Sequence, residues 1–146
     1  MGYYQFTGRR LSRVLALEAL YRFDLLDEPL SEAIKDIYNR ENPPEDVRKF
    51  TNKILESVES NLEEIDRLID QTTLNWPLER ITTVDRSILR IAVGEMLGID
   101  EVPFKVSISE AIEIAKLFST EESGRFVNGV LDNIAIKLGF KQEEKS

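Results

Sequence analysis

The 146-residue chain contains no cysteine and no histidine. The first absence excludes disulfides and thiolate nucleophiles, and the second removes imidazole acid–base chemistry. Together they eliminate the usual zinc ligand sets. A carboxylate-only magnesium site is the one simple metal chemistry left, and no cofactor is implied. No apolar run approaches the length needed to cross a bilayer. Residues 1–10 lack an apolar stretch behind a basic one, so no secretory signal is read there and a cytoplasmic protein is expected. Nothing in this inventory points to catalysis.

What is present is a chain rich enough in apolar residues, at 42%, to bury a core. Its charge is uneven. Arg9, Arg10, Arg13 and Arg22 face only Glu18 in residues 1–22, a net of +3, which leaves −11 for the remainder of a chain whose total is −8. A basic front on an acidic body suggests two kinds of partner, an anion such as nucleic acid for the first and a basic protein for the second.

Helical periodicity dominates the chain. Residues 9–26 form a first amphipathic helix in which Leu11, Val14, Leu15, Leu20 and Tyr21 are spaced for burial. Arg9 and Arg13 share one face of it, with Arg10 at the edge. Pro29 ends that helix and Ser31 is placed to cap the next. Asn42-Pro-Pro-Glu45 reads as a capped helix start, and Ser60-Asn-Leu-Glu63 as a capping box that restarts the chain after a stop. A boundary near residue 60 therefore divides residues 1–60 from residues 61–146. Residues 72–77 are a break, residues 78–81 a short turn, and residues 84–97 a strong helix stopped by Gly98. Residues 102–108 read as an extended loop, with Ser107 boxing the start of the following helix. Ser119 or Thr120 caps the last helix and Gly139 closes it. The fold class is all-α: two small helical bundles, about seven helices, packed into one compact unit.

One helix carries an oddity. Asn128 and Gly129 interrupt the apolar stripe of Phe126, Val127, Val130, Leu131, Ile134, Ala135 and Leu138. A mid-helix glycine costs about 1 kcal/mol relative to alanine. Close helix packing is the first explanation, and approach of a ligand or partner to the backbone is the second.

Several segments in register resemble one family. They are Arg9-Arg10-x-x-Arg13 followed by Ala19-Leu20-Tyr21; Trp76-x-x-x-Arg80-Ile81-x-x-Val84-Asp85-Arg86-x-x-Leu89-Arg90, continued by Glu95-Met96-Leu97; Val102-Pro103; Ile108-x-Glu110-Ala111-Ile112-Glu113-x-Ala115-Lys116; and Phe126-Val-Asn-Gly-Val-Leu-Asp132. Each is weak alone, but in this order and spacing they resemble the NusB family of bacterial transcription antitermination factors. The resemblance implies an all-helical, non-enzymatic protein of two subdomains. It implies binding to boxA-type single-stranded RNA of ribosomal RNA transcripts together with NusE, a small-subunit ribosomal protein, and thereby joining the RNA polymerase elongation complex.

The resemblance also nominates residues. Arg9, Arg10 and Arg13 are expected at RNA, since arginine offers a permanent charge and a planar fork for phosphate. Tyr21 is either a stacking ring or core, and Arg125 and Phe126 match positions near the family's RNA surface. Arg125 sits in a helix's first turn, where the dipole prefers anions, and Phe126 heads the apolar stripe. Glu79 and Asp85 match positions near the protein partner, although Asp85 also suits a plain first-turn acid. Arg90 is expected to anchor the fold through a carboxylate, either Glu95 or one on another helix. The first eight residues, with Tyr3, Tyr4 and Phe6, are expected to be disordered, the alternative being base stacking. A helical protein-binding adaptor without RNA binding of its own is the main rival. A NusB-like domain also fronts certain ribosomal RNA cytosine methyltransferases, but their nucleophilic cysteines and glycine-rich cofactor site are missing from this sequence. Monomer and homodimer are both left open.

Overall fold

A computed structural model describes residues 2–3, 5–74 and 81–142. Among these residues there are seven helices and no strand: α1 (Gly8–Leu26), α2 (Leu30–Glu41), α3 (Glu45–Ser60), α4 (Leu62–Thr72), α5 (Thr83–Gly98), α6 (Phe104–Phe118) and α7 (Glu121–Lys137). No helix among them is long and apolar enough to cross a membrane. The expected turn at residues 78–81 lies largely outside the described residues, as do Tyr4, Trp76, Glu79 and Arg80.

Two helices are buried over most of their circumference. On α1, Ser12 to Leu17, Ala19 and Leu20 are buried; on α5, Asp85 and every residue from Ser87 to Met96 are buried. α1 packs on α2, α3 and α5, while α5 packs on α1, α3, α4, α6 and α7. The other helices keep a wet face. α3 and α4 meet at Asn61, and one apolar cluster runs across that junction from Leu15 and Ile54 to Ile88 and Leu131.

Several helix starts differ from expectation for a shared reason. Ser31 does not cap α2, Asn42 does not cap α3 and Ser107 does not cap α6. These helices begin immediately after Pro29, Pro44 and Pro103, without a side-chain cap. Proline's fixed φ ends the preceding extended segment, and its carbonyl accepts the first helical N–H groups: Pro29 from Glu32 and Ala33, Pro44 from Arg48, Pro103 from Val106 and Ser107. Asn42 instead ends α2 in the left-handed region at φ 46°, where asparagine is tolerated. Ser60 is the last residue of α3, and the Asn61 amide turns back to donate to the Ser57 carbonyl at 2.8 Å. The expected loop at residues 102–108 is helical from Phe104 onward. Thr120 does cap α7, its hydroxyl accepting the Ser123 N–H at 3.0 Å. Gly139 closes that end at φ 82°, with the Phe140 N–H reaching the Ala135 carbonyl at 2.9 Å.

Glycine roles also differ from expectation. Gly98 is the last residue of α5, not a left-handed stop; a Cβ there would overlap the Ser57 hydroxyl. One turn earlier, a Cβ on Gly94 would meet Val58 Cγ2 at 2.7 Å, and the Ser57 hydroxyl donates to the Gly94 carbonyl at 2.6 Å. Close helix packing is therefore made by Gly94 and Gly98 against α3. Gly129 is exposed, and nothing among the described residues lies within 4 Å of where its Cβ would stand. Packing among the described residues does not explain it.

Candidate nucleic-acid and partner interface

The three front arginines do not form one cationic face. Arg9 is exposed, with its guanidinium 4.4 Å from the centre of the Phe50 ring and 3.5 Å from the Glu101 carboxylate. Arg10 lies over α6 and forks onto Glu110, donating from Nε at 3.1 Å and from Nη2 at 2.6 Å. Arg13 is only 3% exposed. It donates to both oxygens of Glu95 at 2.8 and 2.7 Å, and to Glu110 at 3.4 Å. The buried Ser107 hydroxyl completes the knot by donating to Glu95 at 2.9 Å. Four-residue spacing placed Arg9 and Arg13 on one side of α1 but could not say that this side turns inward along its length. In this conformation Arg13 is a core ion pair joining α1 to α5 and α6, not a surface phosphate ligand.

Of the N-terminal aromatics, Phe6 and Tyr3 pack on the protein, where disorder was expected; Tyr4 lies outside the described residues. The Phe6 ring is buried with its centre 5.9 Å from that of Phe118, and Tyr3 meets the same ring edge-on at 6.4 Å. The Tyr3 hydroxyl donates to Glu18 at 2.5 Å and its backbone N–H to Glu41 at 2.9 Å. Burial, reinforced by Glu18, pushes the Tyr3 phenol well above its ordinary value. Tyr21 is half-buried beside Tyr3, Val84 and Phe118. It lies twelve residues beyond Arg9 on the same helix, about 18 Å along its axis.

A second region forms where the amino ends of α5 and α7 meet. Thr82, Asp85, Ser119, Thr120, Ser123 and Arg125 line an open cleft of about 670 Å³, with Phe126 and Glu122 at its edge. Thr82 caps α5 by accepting the Asp85 N–H at 3.1 Å. The Asp85 carboxylate turns away from its own helix to accept from the Ser123 hydroxyl of α7 at 3.2 Å. Its other oxygen is buried and has no hydrogen-bond partner among the described residues. Burial raises the Asp85 carboxyl above its ordinary value, and the Ser123 hydrogen bond opposes that only in part. Arg125 is exposed and forms no ion pair among the described residues, while Phe126 is half-buried against the core. The expected sites thus separate: Tyr21, Asp85, Arg125 and Phe126 gather toward this end, and Arg9 and Arg10 stand at the other end of α1.

Arg90 anchors the fold as expected, through carboxylates on other helices: Asp66 at 3.0 Å and Asp24 at 3.3 Å. Glu95, the other candidate, is taken by Arg13. Sequence reading missed Glu95 and Glu110 as the partners that consume the front arginines. Glu95 was traceable, because it shares the inward face of α5 with Ile88, Ala92 and Met96, where an unpaired carboxylate is too costly.

The NusB family model matches residues 10–136. The chain belongs to the NusB family. It is 44% identical over 138 residues to the transcription antitermination protein NusB of Desulfatibacillum aliphaticivorans, covering 94% of this chain and 95% of that one. Among solved structures it superposes on T. maritima NusB with a TM-score of 0.80 at 38% identity, covering 88% of this chain and 91% of that one. It also resembles a chain from a crystal structure of the antitermination factors NusB and NusE in complex with double-stranded RNA, with a TM-score of 0.78 at 28% identity, covering 86% and 94% of the two chains. The motifs quoted from the sequence lie almost entirely within the matched NusB residues.

Proposed function

We propose that this NusB family member is a cytoplasmic transcription antitermination factor that binds boxA-type RNA of ribosomal RNA transcripts jointly with NusE, and through that pair acts on the elongating RNA polymerase. The reading is carried by the cleft between α5 and α7. Asp85, whose buried carboxylate has one oxygen without a donor among the described residues, lines the same cleft as the exposed Arg125, which has no counter-ion among the described residues. An RNA phosphate or base suits the exposed Arg125, and a basic protein side chain suits the acidic wall that Asp85 lends the cleft. One opening therefore suits both partners at once. Arg9 and Arg10 extend the RNA contact along α1, with Tyr21 and Phe126 supplying ring surface; Glu79 stays with Asp85 as a protein-partner residue. The relatives named antitermination proteins, and the solved assembly of NusB with NusE and RNA, support the same assignment.

The test is a gel shift of boxA-type RNA with the full chain, with and without NusE. RNA binding is expected to tighten when NusE is added, and Arg9→Ala with Arg125→Ala to weaken it at least tenfold while leaving the melting temperature within about 2 °C. Equal RNA affinity with and without NusE sinks the joint reading. Wild-type affinity in the double variant favours an adaptor without RNA binding of its own.

A further inference from the structure

We propose that Glu110 is a built-in competitor for RNA at Arg10, holding that arginine in the geometry of a phosphate complex and setting how tightly the front of α1 binds. This rests on the proposed RNA contact of Arg10 and concerns the same surface. The Glu110 carboxylate takes two parallel donors from Arg10, at 3.1 and 2.6 Å. That is the bidentate pairing in which a guanidinium also grips two phosphate oxygens. The pair is reachable from solvent, with 40% of the Arg10 side chain and 18% of Glu110 exposed.

Glu110 is not needed to neutralise the core. Arg13 already has both oxygens of Glu95, and its contact with Glu110 is the long one at 3.4 Å. Hydrogen bonding from Arg10 holds the Glu110 carboxyl below its ordinary value, so it is fully ionised wherever RNA binds. An arriving phosphate must therefore displace a carboxylate that already fills the fork, and Glu110 is left with Arg13 at its back. Glu110 thus acts through Arg10 and does not itself touch RNA.

The test measures anisotropy of a labelled boxA-type RNA with the full chain and NusE across a salt series, comparing wild type, Glu110→Gln, Arg10→Ala and the double variant. Glu110→Gln is expected to bind about two- to fivefold tighter, the range of an exposed ion pair. In the Arg10→Ala background the same change is expected to do nothing. Wild-type or weaker affinity for Glu110→Gln, with Arg10→Ala still weakened, overturns the competitor role and leaves the RNA contact standing. Wild-type affinity for Arg10→Ala overturns the contact itself. Where thermal melting shows Glu110→Gln unfolded, Glu110→Asp serves instead, since it keeps the charge near Arg13 but draws it back from Arg10; the same direction of change is expected, and its absence overturns the proposal.

Discussion

The front of α1 and the cleft between α5 and α7 are opposite solutions to carrying charge. At the front, each arginine has a carboxylate: Arg9 has Glu101, Arg10 has Glu110 and Arg13 has Glu95. In the cleft, one oxygen of Asp85 has no donor and Arg125 has no counter-ion among the described residues. The front therefore looks cationic in sequence and is nearly neutral in space. The cleft offers single nominated residues in sequence, Asp85 and Arg125, and only in space does one carboxylate oxygen there prove to lack a donor among the described residues. A surface's readiness to bind follows from what is left unpaired, not from how many charges lie along a helix.

The comparison breaks most visibly if Arg13 is removed. Arg13→Ala strands Glu95 in the core, and breaking a buried pair in this way costs about 3–5 kcal/mol. Urea denaturation should show that loss, whereas Arg9→Ala, in an exposed pair, should stay within about 1 kcal/mol. Similar losses for both would mean that the front is not layered as described.

The cleft should respond with the opposite sign. Asp85→Asn is expected to stabilise the free protein by about 1 kcal/mol, since the buried charge is poorly satisfied, and to weaken association with NusE. Because burial raises the Asp85 carboxyl, the folded state holds that proton more readily than the unfolded chain. Its favourable contribution is complete below the unfolded value near 4 and is lost as pH rises through the higher folded value. The advantage of the asparagine variant should thus be largest at neutral pH and shrink toward pH 4, which melting curves across that range will show. An asparagine variant less stable at pH 7 would count against an unsatisfied cleft.

The smallest effect expected is at Gly129. With open space where a Cβ would stand, Gly129→Ala should raise stability by about 0.5–1 kcal/mol. A loss of NusE or RNA binding in that stabilised variant would extend the unsatisfied surface along α7. Unchanged binding would confine it to the cleft.

Helix identity was legible because apolar residues recur at helical spacing throughout, and Thr120 and Gly139 announced their ends correctly. The misplaced starts share one cause. Serine and asparagine can cap a helix, but Pro29, Pro44 and Pro103 occupy the helix starts, which leaves Asn42 ahead of Pro44, and Ser31 and Ser107 already inside their helices, with no cap to make. The candidate site was legible as residue types and not as exposure. Nothing local distinguishes Arg9, which lies on a ring at the surface, from Arg13, one turn on and sealed beneath α6. That difference is made by Glu95, 82 positions away, so it becomes visible only once α5 is laid against α1.

The glycine notches of α5 have a consequence for the geometry of any bound transcript. Because Val58 and Ser57 of α3 fill the space a Cβ would take at Gly94 and Gly98, the separation of α3 from α5 is set by those two glycines. A methyl group added at Gly94 would press on Val58 and push α3 off α5, and any surface that a transcript met across both helices would be offset with it.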